Sequence, residues 1–460
     1  MKELPQTWAT CCLGDVIDYG ATRKAEPDAI PADAWVLELE DIEKGTSKVL
    51  RRLTFAQRQS KSTKNRFAAG DVLYGKLRPY LNKVVRADQD GFCTTEIIPL
   101  PPSHSLDGDY LFYWLKHPMF LDYVTAVSHG LNMPRLGTEA GRDAPFILAP
   151  INEQKRITDK LDAILARVDA CRERLDRMPA ILKRFRQAVL AAAVSGDVTE
   201  EWRERFGISK AWLETDVQSV SQVGTGSTPL RSNAAFYAGH GTPWITSAAT
   251  SRPFVLSAEQ FVTDAAVQAH RLKTYPIGTL LVAMYGEGKT RGQISELCIE
   301  ATINQACAAI IVDKGMALSA FVRLVLQANY LEMRELAEGG NQPNLNLKKI
   351  KEFPVLLPSL DEQHEIIRRV ESLFAYADRL EARYATARAH VERLTPALLA
   401  KAFRGELVPQ DPNDEPASAL LERIRAARAA SPAKPKRRRG AALRESREDN
   451  VEPVVAAHRC

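Results

Sequence analysis

A chain of 460 residues, 45% hydrophobic and 26% charged, has the composition of an ordinary globular protein of about three domains. No segment approaches the roughly 20 consecutive apolar residues of a membrane helix, and the first residues lack a signal pattern. The seven cysteines are scattered without metal-ligand spacing, so disulfide frameworks and metal sites are excluded. Because the cysteines have the pattern of reduced thiols, we expect a cytoplasmic protein. The net charge of +5 permits a nucleic-acid partner without requiring one.

Residues 1–150 predict a mixed α/β domain. Short apolar runs at 71–74 and 96–100 are bounded by Gly, Pro, Asn and Asp, which is typical of strands between loops. The stretch Tyr110–Leu115 predicts a helix.

Residues 151–198 predict a long helix with a narrow apolar stripe. The stripe follows the 3, 4 spacing of a coiled-coil seam, and Pro179 should break or restart the helix. The seam residues are Leu161, Ile164, Val168, Cys171, Leu175 and Met178.

Residues 199–352 predict a linker and a second mixed domain, with strands at 279–283 and 308–312 and a helix at Ala320–Leu326. Residues 353–408 predict a second helix of about 25–35 residues, or about 38–50 Å, which Pro396 should interrupt. Its seam residues are Val370, Leu373, Ala377, Leu380, Tyr384, Ala387, Val391 and Leu394. Residues 409–430 predict a linker and an amphipathic helix (Ala417–Ala430), and the basic residues 431–460 a disordered tail.

The chain contains one unit twice. Glu153-Gln154 recurs as Glu362-Gln363, an offset of 362 − 153 = 209, and the alignment runs without a gap over residues 145–198 and 354–407. At the same offset Gly130-x-Asn132-x-Pro134-x-Leu136 matches Gly339-x-Asn341-x-Pro343-x-Leu345. We therefore expect the two stripes to pack on each other. Two surface helices packed on separate cores are the alternative.

Several motifs resemble those of one family. They are Leu4-Pro5-x-x-Trp8 with Leu13–Val16, Gly226-x-Thr228-Pro229, Gly70–Gly75 followed by Lys76–Lys83, Cys93–Glu96, Gly278–Gly286, Thr302–Cys307 and Glu415–Arg425. With the two Glu-Gln helices, they are similar to the specificity (S) subunits of Type I restriction–modification enzymes.

This resemblance implies an α+β fold in which two target recognition domains are joined by two long antiparallel coiled-coil helices with pseudo-twofold symmetry. Each domain would read one half of a bipartite, asymmetric site on double-stranded DNA, and the helices would set the spacing between the halves. Two modification subunits (adenine N6 methylation with S-adenosylmethionine) and two restriction subunits (translocation and cleavage with ATP and Mg²⁺) would dock on it. The chain itself would be non-catalytic and hold no cofactor or metal.

Candidates for DNA contact are side chains suited to bases or phosphates in the loops of the two mixed domains. Arg and Lys suit guanine, and Asn and Gln suit adenine. The candidates are Lys76, Arg78, Tyr80, Asn82, Lys83 and Arg135 in the first domain, and Tyr285, Lys289, Arg291, Gln293, Asn304, Gln305 and Asn344 in the second.

Candidates for partner docking and spacing lie on the two helices. For the Glu-Gln pairs the alternative is a role as ordinary helix-start residues. The candidates are Glu153, Gln154, Leu161, Val168, Leu175, Glu362, Gln363, Val370, Ala377 and Tyr384.

Three other functions fit the sequence less well. Ala283–Thr290 fits a relaxed phosphate-loop pattern, but such a loop needs a helix directly after it, whereas Gln293–Glu300 predicts a strand. A methyltransferase would need a (D/N/S)-P-P-(Y/F) loop, and Asn341–Asn344 lacks the second proline and the aromatic residue. A duplicated scaffold protein without a DNA role is the third.

Overall fold

The computed structural model of the chain describes residues 4–130, 132–285, 290–336 and 344–430. Its strands are β1 (Ala9–Cys12), β2 (Arg23–Ala25), β3 (Trp35–Leu37), β4 (Leu53–Thr54), β5 (Lys64–Phe67), β6 (Val72–Gly75), β7 (Val84–Arg86), β8 (Gly91–Thr94), β9 (Ile97–Leu100), β10 (Pro145–Leu148), β11 (Leu213–Asp216), β12 (Ser221–Thr225), β13 (Tyr237–Ala238), β14 (Thr242–Ile245), β15 (Phe254–Val255), β16 (Gln260–Val262), β17 (Leu280–Ala283), β18 (Ile294–Leu297), β19 (Thr302–Ile303), β20 (Cys307–Val312) and β21 (Pro354–Leu357).

The helices include two of more than 40 residues each. They are α1 (Leu13–Val16), α2 (Phe55–Arg58), α3 (Gly108–Leu115), α4 (Pro118–Val127), α5 (Thr138–Arg142), α6 (Ile151–Ser195), α7 (Glu200–Phe206), α8 (Asp264–Ala269), α9 (Ser319–Ala328), α10 (Tyr330–Glu335), α11 (Leu347–Lys351), α12 (Leu360–Ala402) and α13 (Ala417–Ala430). No helix in the described part of the chain is long and apolar enough to cross a bilayer.

The chain forms two compact units. Residues 1–168 and 393–460 make up unit 1, and residues 169–392 make up unit 2. Each long helix therefore contributes one segment to each unit.

Unit 1 is a mixed α/β body with a five-stranded sheet (β2-β5-β8-β3-β4), a three-stranded sheet (β7-β6-β9) and the pair β1-β10. The predicted strands at 71–74 and 96–100 are confirmed as β6 and β9, which pair antiparallel, and the predicted helix is confirmed as α3. Rings of α3 pack against Phe146 of β10 and against Phe403, which directly follows α12, with Tyr110 and Trp114 each about 5 Å from Phe403.

Unit 2 has a five-stranded sheet (β12-β20-β17-β18-β15), a four-stranded sheet (β13-β16-β14-β19) and the pair β11-β21. The predicted strands at 279–283 and 308–312 are confirmed as β17 and β20, and the predicted helix is confirmed as α9. The pair β11-β21 reproduces β1-β10, because β21 lies at the offset of 209 from β10 and both pairs are antiparallel.

The two long helices are continuous, which corrects the prediction that prolines interrupt them. Helix α6 has 45 residues and contains Pro179, and α12 has 43 residues and contains Pro396. At about 1.5 Å per residue these helices are about 68 and 64 Å long, longer than predicted. Both prolines are exposed. The stripe is half-buried before them, at Leu175 and Val391, and buried after them, at Leu182 and Leu399. Tertiary packing thus outweighs the local cost of a proline.

The helices pair antiparallel, as predicted. Within unit 2, Arg186 of α6 bonds to Asp378 at 2.8 Å and to Glu381 at 2.9 Å, while Asp176, earlier in α6, accepts a bond of 2.5 Å from Arg388, later in α12. As residue numbers increase along α6, those of the contacting residues in α12 decrease, so the two helices run in opposite directions. The expected pairing of the two helices is therefore confirmed. Their ends also pack in the cores of the two units, with Leu161 and Leu399 in the core of unit 1 and Val189 and Val370 in the core of unit 2.

The stripe follows the predicted residues with two corrections. Cys171 is exposed and the half-buried position is Arg172; Leu394 is 42% exposed and the half-buried position is Thr395. An α-helix has about 3.6 residues per turn, so a 3.5-residue repeat does not determine which of two neighbouring positions lies at the edge of the stripe. The sequence pattern therefore favoured the hydrophobic residue over its polar neighbour.

Residues 409–430 belong to unit 1, where helix α13 is confirmed. The segment before it packs tightly rather than forming a free linker, because Asp414 is buried and accepts bonds from Arg156 at 2.7 Å and Asn152 at 3.1 Å. Arg425 of α13 donates to Asp15 at 3.0 Å. The predicted tail, residues 431–460, lies outside the described residues.

Candidate nucleic-acid interface and helix-start residues

In unit 1 the loop after β6 is held against the segment that precedes α5. The backbone N–H of Lys76 donates to Glu96 O at 2.9 Å, and the N–H of Arg78 donates to Pro134 O at 2.7 Å. The N–H of Leu136 in turn donates to Lys76 O at 3.0 Å. The structure therefore brings four predicted DNA-contact residues into neighbouring loops: Lys76, Arg78, Tyr80 and Arg135.

These side chains are displayed rather than buried. Arg78 is exposed in a left-handed backbone conformation (φ 51°), and Tyr80 is 48% exposed. Arg135 donates through Nε to both oxygens of Glu96, at 3.1 and 3.2 Å. This ion pair orients the guanidinium, whose remaining N–H groups can bond to a base edge or a phosphate.

Two other candidates of this loop point inward. Asn82 is 9% exposed, and the Nζ of Lys83 donates to Leu39 O at 2.6 Å. Burial lowers the pKa of Lys83. Their placement argues against the predicted DNA contact, and the bond to Leu39 O gives Lys83 a role inside the unit.

In unit 2 the same construction recurs at the end of β17. The N–H of Met284 donates to Ala306 O at 2.8 Å, and the N–H of Leu345 donates to Met284 O at 3.1 Å. Leu345 is the counterpart of Leu136 at the offset of 209, so Met284 occupies the place of Lys76 in the fold. The structure therefore assembles one loop frame twice and places different side chains on it.

The predicted DNA-contact residues of unit 2 gather around this frame. Tyr285 is 40% exposed, and Gln305 is exposed and accepts a bond from Thr228 Oγ1. Gln293 and Asn304 are half-buried, and each has a side-chain oxygen without a hydrogen-bond partner in the described structure. The remaining candidates are Arg291 and Asn344, both half-buried, and Lys289, which lies outside the described residues.

The segment after Thr290 does not have the structure of a phosphate-binding loop. Residues 286–289 lie outside the described residues, but the next element is strand β18, which returns antiparallel to β17. A phosphate loop would need a helix there. The prediction of a strand after Gln293 is confirmed.

The two Glu-Gln pairs are almost completely buried, which corrects their predicted place on a docking surface. Trp8 donates from Nε1 to Glu153 Oε2 at 2.9 Å. Gln154 donates to Ala149 O and accepts from the N–H of Asp107, both at 2.9 Å. Together these bonds tie the start of α6 to β1, β10 and α3.

Unit 2 repeats the arrangement. Trp212 donates to Glu362 at 3.0 Å, and Gln363 donates to Pro358 O at 2.9 Å and accepts from the N–H of Leu318 at 2.8 Å. Trp8 and Trp212 each stand shortly before the first strand of their pair in the sequence, and this recurrence was the signal that could have revealed the bond.

The two buried carboxylates differ in their second partner. Glu362 accepts from Arg203 at 2.5 Å and from Thr199 at 2.8 Å, whereas Glu153 accepts from the neutral amide of Gln410 at 2.5 Å. Burial raises the pKa of Glu153, against the hydrogen bonds from Trp8 and Gln410. Glu362 is thus part of a buried ion pair, and Glu153 has neutral hydrogen-bond donors.

The other residues predicted for spacing and docking lie in the helix seam. Their positions suit the pairing of α6 with α12 and leave little surface for a partner. Leu161, Val168, Val370 and Ala377 are buried, and Leu175 and Tyr384 are half-buried.

Comparison with known proteins identifies relatives over most of the chain. The family model described as Type I restriction modification DNA specificity domain matches residues 5–177 and again 210–386. The EcoBI specificity subunit of Escherichia coli is 33% identical over 346 residues, covering 70% of this chain and 72% of that protein. The EcoKI specificity subunit of Escherichia coli K12 is 31% identical over 356 residues, covering 72% and 74%.

Two solved structures share the fold at low sequence identity. The HsdS subunit from Thermoanaerobacter tengcongensis aligns with a TM-score of 0.61 at 19% identity, covering 88% of this chain and 98% of that one. A chain from a study of complex assembly and conformational transition of the type I R-M system aligns with a TM-score of 0.70, also at 19% identity, covering 88% and 100%.

Proposed function

The chain belongs to the family of Type I restriction modification DNA specificity subunits, and we propose that it reads a bipartite, asymmetric DNA site with one recognition domain on each half. It is a DNA-recognition subunit and not itself an enzyme. DNA and the other subunits of a restriction–modification system are its partners.

The duplicated loop frame is the observation that supports two different half-sites. The same two backbone bonds, through Lys76 in unit 1 and Met284 in unit 2, build both frames. The first frame displays Arg and Lys, which suit guanine, and the second is rich in Asn and Gln, which suit adenine. A protein that recognised a symmetric site would need like side chains on like frames.

The paired helices support a spacing role and a repeated docking frame. Because α6 and α12 are continuous and antiparallel, they can hold two recognition domains at a fixed separation. Because the helix and its strand pair occur twice, they suit the docking of two copies of the modification subunit, with two restriction subunits added to them. S-adenosylmethionine, ATP and Mg²⁺ would then be bound by those partners, and the complex would act in the cytoplasm.

Methylome sequencing tests the proposal. The host is sequenced with the wild-type gene, with Arg78→Ala/Arg135→Ala, and with Tyr285→Ala/Gln305→Ala. We expect the first double variant to relax only one half of the methylated motif and the second to relax only the other half. Removal of each base-specific hydrogen-bonding pair should reduce discrimination by about 1–3 kcal/mol. The exposed Arg423 of α13 provides a control, because Arg423→Ala should leave the motif unchanged. Relaxation of both halves by either double variant would refute the assignment of one half per domain.

A further inference from the structure

We propose that a cleft in unit 2, between α6 and the second recognition domain, binds the sugar-phosphate backbone of DNA beside the second half-site. The proposal rests on the proposed function and adds an interaction that positions the DNA without reading its sequence. The cleft has a volume of about 660 Å³. The residues that carry the argument are Lys183 and Gln187 of α6 with Arg252, Gln293, Gln327 and Arg334.

The lining of the cleft has the chemistry of an anion site. Among the described residues, three cations and three amides line it, together with the hydroxyl groups of Ser251 and Tyr330, and no acidic residue of the described chain is among them. Phosphate oxygens accept hydrogen bonds from all of these groups, and bonds to phosphate and sugar make up half to two-thirds of protein–DNA hydrogen bonds.

Two of the cations are available for a ligand. Lys183 and Arg252 are exposed, and neither side chain has a hydrogen bond or an ion pair in the described parts of the chain. The third, Arg334, is oriented in advance, because its Nη1 donates to the hydroxyl of Tyr330 at 2.7 Å and its guanidinium lies 5.5 Å from the centre of that ring. The cleft therefore combines one oriented guanidinium with two free cations.

The repeat distinguishes DNA from a partner protein as the occupant. At the offset of 209, Lys183 corresponds to Glu392 and Gln187 corresponds to Pro396. The equivalent stretch of α12 thus carries an anion and a residue without a side-chain donor. A partner subunit that docks in the same way on α6 and on α12 would meet a positive charge at Lys183 and a negative charge at Glu392. DNA does not have this requirement, because the two recognition domains hold it differently. The difference favours DNA over an acidic segment of a partner subunit.

The cleft also suggests which phosphates are held. Lys183 and Gln187 belong to the helix that we assign to spacing, while Arg252 and Arg334 belong to the recognition domain. The bound phosphates should therefore lie on the spacer side of the second half-site.

The test uses the full chain in complex with its modification subunits and a duplex that carries its methylation motif. Affinity is measured over a series of salt concentrations for the wild type and for Lys183→Gln/Arg252→Gln. We expect the slope of log K against log salt to become shallower by about 0.9 for each phosphate that the variant no longer neutralises, with the preferred motif unchanged. In the wild-type complex, ethylation of the contacted phosphates should interfere with binding. In the variant this interference should disappear only at phosphates beside the second half-site. Arg184→Gln, on the exposed neighbour of Lys183 outside the cleft, is the matched control and should keep the wild-type slope.

Three results would overturn the inference. An unchanged slope and interference pattern, in a wild-type complex that prefers its motif, would show that the cleft does not bind DNA and would leave the proposed function standing. Weaker assembly with the modification subunits at an unchanged slope would assign the cleft to an acidic segment of the partner. A wild-type complex without any sequence preference would overturn both proposals.

Discussion

Trp8 and Glu153 are joined by a buried hydrogen bond of 2.9 Å across 145 residues of sequence, and Trp212 and Glu362 are joined by the equivalent bond of 3.0 Å. Each bond fixes the first turn of a long helix to the strand pair beneath it. This bond holds the DNA-reading loops in register with the helix, because breaking it would leave a buried indole N–H and a buried carboxylate without each other. The two hydrogen bonds differ in their surroundings, because Glu362 is also paired with the charged Arg203 and Glu153 with the neutral Gln410. Two predictions follow from this difference.

Glu362→Gln should destabilise unit 2 far more than Glu153→Gln destabilises unit 1. The first change leaves the buried Arg203 without its counter-ion, which costs about 3–5 kcal/mol. The second removes a buried charge that lies among neutral donors and keeps an acceptor for Trp8, so its effect should stay within about 1 kcal/mol. Differential scanning calorimetry of the two variants checks the ranking, and equal destabilisation would contradict it.

The stability of unit 1 should depend on the ionisation of Glu153. Because burial raises the pKa of this carboxyl above 4.5, its ordinary value, the folded state holds the proton more tightly than the unfolded state. The contribution of Glu153 to the free energy of unfolding is therefore complete below pH 4.5 and is lost as the pH rises through the folded-state pKa. Asp414 has the opposite sign: its bond from Arg156 lowers the pKa below 3.8, and that contribution is lost as the pH falls further. Thermal unfolding is measured as a function of pH. Glu153→Gln should remove the loss of stability above pH 4.5 and leave the loss at lower pH, which comes from Asp414. An unaltered loss of stability above pH 4.5 would refute the role of Glu153.

The corrected seam gives a third prediction, with a control on the partner helix. Leu161 is fully buried in the core of unit 1, so Leu161→Ala should lower the free energy of unfolding by about 2–5 kcal/mol. Leu394→Ala removes the same group from an exposed position and should change it by no more than about 0.5 kcal/mol. Chemical denaturation of both variants, followed by circular dichroism, makes the comparison. Comparable destabilisation would restore Leu394 to the seam.

The spacing role of the helices gives a fourth prediction. Four residues inserted within Leu161–Met178 lengthen α6 by about 6 Å and rotate its ends by little more than one turn. We expect the methylated motif to keep both half-site sequences and to change the gap between them, as read by methylome sequencing. An altered half-site with an unchanged gap would show that α6 does not set the spacing.

The sequence predicted what depends on local pattern. The 3.5-residue periodicity identified the helices α6 and α12, the internal repeat predicted their pairing, and turn residues bounded the strands β6, β9, β17 and β20 to within one residue. The prolines were misjudged because the rule for Pro179 and Pro396 is local, while the packing that overrides it joins two helices.

Long-range hydrogen bonds of single side chains could not be predicted where no repeat marks both partners. Lys83 finds a carbonyl oxygen 44 residues away, and Glu153 finds an amide 257 residues away. Neither partner has a type or spacing that distinguishes it in the sequence. The resemblance to a family supplied the function of the chain, but which polar residues face the DNA depends on long-range pairings of this kind.

The division of the chain between the two units bears on the order in which the protein is made. Unit 2 is a single stretch, residues 169–392, and can close once that stretch has left the ribosome, whereas unit 1 needs residues 393–430 to cover a core begun by residues 4–168. At about 5–20 residues per second, translation leaves the first recognition domain incomplete for about 13–52 seconds. The domain that the ribosome begins first is thus the last to be finished, and during that interval its apolar surface is open to chaperones, to proteases and to other nascent chains.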